Sequence, residues 1–216
     1  MTETRAPYFM TRMKPDPARA AAWEALAGYI QPDIPEGARL LELGAGECLF
    51  VNRVQAARKA AVDLSPDLAS FAAPEVETRV GAAWSLAAFG PRAFDVVFAS
   101  NLFEHLTWEE LDRTLEAVKG VLAPGGRLIH LHPNIKYCAA DYWDDYTHRI
   151  PLTHLSVGDL LATRGFAVER VVPRLVPFSA REAAFPFPVK PWMIRLYLAS
   201  PWRPRAAQMY MVARKA

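Results

Sequence analysis

Apolar and polar positions along this 216-residue chain alternate between two periods. Short, nearly continuous apolar runs read as strands buried on both faces: the run ending at Leu43, then Lys59–Asp63, Val76–Gly81, Phe94–Ser100 and Arg127–His132. Helical spacing lies between and around them. Trp23, Leu26 and Ile30 follow Asp16-Pro17, with Asp16 as N-cap and Pro17 at the first helical position, and the pattern stops before Pro32. A helix is predicted around Phe50–Ala57, and Ser65-Pro66 starts another. Thr107 and Glu110 have capping-box spacing ahead of a helix that carries Leu111, Leu115 and Val118 on one face. Ser156 with Asp159 opens a further helix that stops at Gly165, and Phe166–Val172 and Gln208–Arg214 are the last two strands. Strands alternating with helices predict a parallel α/β sheet covered on both faces. Its ligand is expected past the carboxyl ends of the central strands, where strand order reverses.

One turn narrows that ligand. In Arg39-Leu40-Leu41-Glu42-Leu43-Gly44-Ala45-Gly46-Glu47-Cys48 an apolar strand carries an acid and then breaks into two glycines one residue apart. A nicotinamide fingerprint wants a third glycine where Leu49 stands, and a phosphate loop wants Gly-Lys-Ser/Thr, which is missing. Asp63 ends the next strand, at the distance past Gly44 expected of an acid that accepts from ribose hydroxyls.

The acid before Gly-x-Gly resembles motif I of the class I S-adenosylmethionine-dependent methyltransferases. Phe94–Leu106 is similar to that family's motif IV and the segment after it, and Val121-Leu122-Ala123-Pro124-Gly125-Gly126-Arg127-Leu128 to its step into the fifth strand. The resemblance covers residues 38–132. It implies a Rossmann-like, seven-stranded, mostly parallel sheet whose last strand runs antiparallel, and S-adenosylmethionine as cofactor. It implies that Glu42, Gly44 and Gly46 contact the methionine end, that Asp63 holds the ribose, that Leu64 packs against the adenine and that Asn101 lies beside the reacting methyl. The chain departs from the family twice. Cys48 fills the third small position of motif I, and no acid follows the third strand, so the backbone of Ala82–Trp84, with Ala83 and the Trp84 ring, is expected to hold the adenine.

The reaction implied is methyl transfer, most readily to an oxygen of a small molecule or of a sugar or glycan intermediate, because the whole-chain pattern resembles bacterial methyltransferases of cell-surface polysaccharide clusters. An oxygen nucleophile calls for a general base. The candidates past the fourth and fifth strands are His105, His132, Asp141, Asp144, Asp145, His148 and His154, and His105, Asp145 and His148 are favoured. No metal is expected, since His130 and His132 are read as facing opposite sides of their strand. The rival readings are a non-catalytic S-adenosylmethionine-fold binding protein and an RNA methyltransferase. The second lacks the Asn/Asp-Pro-Pro-Tyr/Phe step, since the chain reads Asn101-Leu102-Phe103-Glu104 there.

Composition adds only bounds. A formal charge of +2 argues against DNA as a partner, and two cysteines with no signal-peptide pattern suit a cytoplasmic setting. A single domain is expected, divided into an N-terminal helical cap (1–35), a cofactor core (36–132), an aromatic and acidic lid (133–155) and a basic, aromatic C-terminal insertion (173–205). In that insertion the aromatics are expected in the core and the arginines outward, as a cap over the acceptor or a contact with an acidic membrane surface.

Overall fold

The computed structural model describes residues 17–178 and 190–216. The elements run α1 (Pro17–Ile30), β1 (Arg39–Leu43), β2 (Arg58–Asp63), α2 (Leu68–Phe71), β3 (Val76–Val80), β4 (Phe94–Ser100), α3 (Trp108–Val121), β5 (Leu122–Pro133), α4 (Ile135–Cys138), α5 (His154–Thr163), β6 (Phe166–Pro177), α6 (Pro191–Ala199) and β7 (Ala206–Lys215). They form a seven-stranded sheet in the order β3-β2-β1-β4-β5-β7-β6. All pairs are parallel except β5–β7 and β6–β7, so β7 inserts antiparallel between its neighbours.

The period of two along each strand divides the core into two layers. Leu41, Leu43, Val97, Leu128, Met209 and Met211 face Leu111, Leu115 and Val118 of α3 and Val157 and Leu161 of α5. Leu40, Phe98, Ile129, Leu131, Tyr210 and Val212 face Ile30 of α1 and Leu198 of α6. Pro17 opens α1, while its expected cap, Asp16, lies outside the described residues. The capping box of α3 forms as the spacing predicts: Thr107 Oγ1 accepts from Glu110 N, and Glu110 Oε2 accepts from Thr107 N.

The structure corrects the sequence in several places. The helix expected at Phe50–Ala57 is absent, and turns run from Gly46 to Arg53. Cys48 sits at φ +55°, which interrupts any right-handed run, so α-type bonds appear only beyond it, from Asn52 N to Cys48 O and from Val54 N to Phe50 O. Helix α2 is a single turn whose N-cap is Asp67, not Ser65. Helix α5 begins earlier than Ser156, because Thr153 is the true cap and Ser156 is its reciprocal partner one turn in. Strand β5 starts at Leu122 and absorbs the Pro-Gly-Gly step. A Cβ on Gly126 would stand 3.0 Å from Ala123 O and 3.1 Å from Asp95 O, so only glycine fits there. Strand β6 extends to Pro177, and its edge position tolerates Pro173 and Pro177.

His130 and His132 do not face opposite sides. Residues two apart on a strand share a face, and the two rings lie 4.9 Å apart in the core against Phe103. Burial pushes both imidazoles far below their ordinary range, to about 3 for His130.

The expected C-terminal polarity holds for Arg174, Arg195, Arg205 and Arg214, which are exposed, but fails elsewhere. Arg170 turns inward, pairing with Asp33 at 2.6 Å and lying over the rings of Tyr29 and Tyr210. Trp192 and Trp202 stay exposed, whereas Tyr197 is half-buried. Phe185 and Phe187 lie outside the described residues. Among the described residues, no helix is long and apolar enough to cross a membrane.

Candidate active site

The chain runs outward from β1 to β3 and then returns to place β4 on the other side of β1. This reversal brings the turns after β1 and β4 together at the carboxyl ends of the strands, where such sheets take their ligands. Gly44 has φ +64°, and its N–H bonds Val62 O at 2.8 Å. A Cβ there would come within 3.1 Å of Leu102 Cδ1. Glycine therefore serves both the turn's left-handed conformation and the close approach of the loop after β4.

Two carboxylates organise the turn. Asp63 Oδ2 accepts from Gly46 N at 2.9 Å and Oδ1 from Ser65 N at 2.8 Å. Both oxygens are thus held in place, and each keeps a second lone pair for a hydroxyl. Leu64 beside it is 41% exposed, an apolar surface at the end of β2. Glu42 is buried and accepts from Val51 N at 2.9 Å. Burial pushes its carboxyl up to about 8, the Val51 bond pulls down, and the Asp63 charge adds to the rise. Cys48 is buried beside them, and burial, followed by the Glu42 and Asp63 charges, pushes its thiol up to about 12. A costly buried carboxylate suits a cationic ligand, and the fixed Asp63 with its apolar neighbour suits a nucleoside. The residues present therefore fit S-adenosylmethionine.

The other expected cofactor residues lie around this turn. Gly81 N bonds Asp63 O at 2.8 Å, which fixes the start of the 81–84 segment. Ala83 is buried and Trp84 is partly buried, both against the α3 side of the core. Asn101 is exposed just past β4 at φ +44°, a conformation asparagine tolerates, and its N–H bonds Leu131 O.

A second cluster stands past β4 and β5. A 3-10 turn, Phe103–His105, follows β4 and buries Glu104 completely. The loop after β5 is pinned to it by Arg149 N donating to Glu104 O at 2.8 Å. That bond brings His148 to His105, with ring centroids 4.8 Å apart. Thr147 Oγ1 donates to Asp145 Oδ1 at 2.6 Å and lies 2.9 Å from His105 Nδ1. The hydroxyl has one proton, which it gives to the carboxylate, so Nδ1–H is the donor to Thr147 and His105 Nε2 carries the lone pair. Burial raises the Asp145 carboxyl, but the Thr147 bonds and the His105 and His148 charges outweigh it and hold Asp145 below the usual range. Burial pushes Glu104 up to about 8, against the pull of its own backbone N–H and with the Asp145 charge adding to the rise.

Of the seven candidate bases, the structure brings together His105, Asp145 and His148. His154 Nδ1 instead meets Asn134 Nδ2 at 2.9 Å, Asp141 and Asp144 are exposed, and His132 is in the core. Sequence reasoning missed Glu104 and Thr147, though each adjoins a residue it chose. It also expected no convergent metal donors, yet Glu104, His105 and His148 each offer one ligand atom within 4.8 Å of the others. Two shallow surface grooves of about 430 and 360 Å³ lie elsewhere, one between α3 and α5 and one at the amino ends of the strands.

Comparison with known proteins agrees with this geometry. Residues 41–130 match a family described as "Methyltransferase domain". No curated protein matches the chain. Among solved structures, a SAM-dependent methyltransferase from Archaeoglobus fulgidus is similar at 17% identity, with 99% of this chain and 100% of that chain covered and a TM-score of 0.65. An S-adenosylmethionine-dependent methyltransferase from Mesorhizobium loti is similar at 16% identity, with 88% and 98% covered and a TM-score of 0.64. The Burkholderia thailandensis 1,6-didemethyltoxoflavin-N1-methyltransferase, solved with bound 1,6-didemethyltoxoflavin and S-adenosylhomocysteine, is similar at 19% identity, with 91% of this chain and 79% of that chain covered and a TM-score of 0.62. Residues 41–130 thus form a methyltransferase domain, and motif I, Asp63 and the 3-2-1-4-5-7-6 sheet give the chain the fold of the class I S-adenosylmethionine-dependent methyltransferases.

Proposed function

We propose that this methyltransferase acts on a hydroxyl of a small molecule or of a sugar or glycan intermediate. S-adenosylmethionine, when bound, supplies an electrophilic methyl group on a sulfonium. The protein must then place the acceptor in line and dispose of its proton. In this reading Asp63 and Leu64 hold the nucleoside, Glu42 serves the cationic end, and Asn101, just past β4, serves the methionine side. The observation that carries the oxygen reading is the Asp145–Thr147–His105 relay, which fixes the His105 tautomer and leaves Nε2 able to take or direct a hydroxyl proton. Two buried cysteines in no disulfide, Cys48 and Cys138, support a reducing, cytoplasmic setting.

The test is release of S-adenosylhomocysteine across a panel of sugar, small-molecule hydroxyl and amine acceptors. Turnover on hydroxyl acceptors is expected. Thr147→Val should lower kcat about tenfold or more with S-adenosylmethionine affinity intact. Turnover confined to amines and indifferent to Thr147→Val would refute the oxygen reading.

A further inference from the structure

We propose that Glu104, His105 and His148 form a binding site for one divalent transition-metal cation of the zinc class. The inference goes beyond the O-methylation reading, and cation binding does not depend on it. Three observations carry it.

The first is convergence from separate parts of the chain. Glu104 and His105 ride on the turn after β4, and His148 arrives from the loop after β5, held there by the Arg149 N to Glu104 O bond. One donor atom from each lies within 4.8 Å of the others. Zinc bonds of ~2.0–2.2 Å place donor atoms roughly 3–4 Å apart, so side-chain rotation of about 1 Å completes the set.

The second is Glu104 itself. It has no exposed surface, and among the described residues neither carboxylate oxygen accepts a hydrogen bond from another residue. An isolated buried carboxylate is costly, and a cation compensates it. His105 Nε2 lies 3.9 Å from Glu104 Oε1. That gap is too long for a hydrogen bond and within the span of two metal–ligand bonds.

The third is orientation. His105 Nδ1–H donates to Thr147 Oγ1, which donates to Asp145. Metal-ligating histidines are oriented in this way: one ring nitrogen is tied to a hydrogen-bonding partner, which turns the other toward the ion. Two imidazoles and one carboxylate favour zinc, iron, cobalt or nickel over magnesium or calcium. Three protein ligands leave room for an acceptor hydroxyl, whose acidity the cation would raise; with the ion bound, His105 Nε2 would serve as a ligand in place of its role as a base.

The test uses the full chain stripped with a chelator. Calorimetric titration with Zn²⁺ alone should give one equivalent bound, and Co²⁺ should produce visible d–d absorption of a low-coordinate site. Glu104→Gln and His148→Gln should each weaken Zn²⁺ binding about tenfold or more while S-adenosylmethionine affinity is unchanged. His154→Gln, at an imidazole outside the cluster, should leave the titration unaltered. Glu104→Gln replaces a buried ionisable carboxyl by a neutral amide of the same shape, so the metal-free variant should melt no lower than the stripped parent, which separates lost ligation from lost folding. Absence of stoichiometric Zn²⁺ binding, or binding that survives Glu104→Gln unchanged, overturns the proposal. Either result leaves S-adenosylmethionine binding and turnover to be judged on their own measurements.

Discussion

Replacing Glu42 by glutamine should stabilise the cofactor-free protein at alkaline pH and weaken its hold on the cofactor. Glu42 is buried, has one hydrogen bond and faces Asp63, so its carboxyl ionises only near pH 8, against an ordinary value of 4.5. The folded value is the raised one. Folding is therefore favoured fully below about pH 4.5, and that contribution is lost as pH rises toward 8. The gap corresponds to at most about 5 kcal/mol, reached above pH 8. Glutamine keeps an acceptor for Val51 N and cannot ionise. Near pH 5 the two proteins should differ by ~1 kcal/mol or less, the cost of a buried amide. Near pH 8.5 the variant should be more stable by a few kcal/mol, or roughly 5–15 °C in Tm for a chain of this size. Thermal melts across pH 5–9 measure this directly. Calorimetry should show the opposite for the ligand: parent affinity for S-adenosylmethionine increases with pH toward 8 as the carboxylate forms, while the variant binds more weakly and loses that dependence. A variant destabilised equally at pH 5 and pH 8.5 would refute the reasoning, because burial would then be imposing no penalty on the charge.

Three further outcomes follow from the same geometry. Asp63→Ala removes the acceptor of Gly46 N and Ser65 N together with the ribose partner, so calorimetry should show S-adenosylmethionine affinity reduced about tenfold or more; unchanged affinity would exclude Asp63 from the site. Cys48 stands at φ +55°, where an L side chain costs ~1–2 kcal/mol, so Cys48→Gly should melt close to the parent and Cys48→Val well below it; equal melting of the two variants would mean that backbone strain is not what constrains this position. Thr107→Ala breaks the capping box of α3 and should cost ~1 kcal/mol, about 2–4 °C in Tm, with cofactor affinity unaltered; no change in Tm would count against the cap.

The order of strands and helices, the switch point, the cap of α3 and the acids at the ends of β1 and β2 were legible in the sequence. Each depends on neighbours within a few residues or on a short period. The departure at Cys48 was legible as well, but its consequence was not. Val62 and Asp63 hold Gly44, Ala45 and Gly46 across the turn, and the left-handed Cys48 that follows replaces the expected helix with turns. Thr153 displaced Ser156 as a cap because either residue satisfies the local rule and only the path of the preceding loop decides between them. The inward Arg170 and outward Trp192 and Trp202 depended on where Asp33 and Tyr210 lie, in distant segments.

The sequence by itself determined the kind of protein: a doubly wound sheet whose first turn and second acid accept a nucleoside with a cationic end. Tertiary structure alone decided how the acceptor side is built. Glu104 and His148 are far apart in the chain, and no period or motif relates them. They meet because the loop after β5 closes a backbone bond onto the turn after β4. That contact sets a buried carboxylate against an imidazole, and such a juxtaposition arises from packing two loops at the carboxyl end of the sheet, which local sequence does not specify.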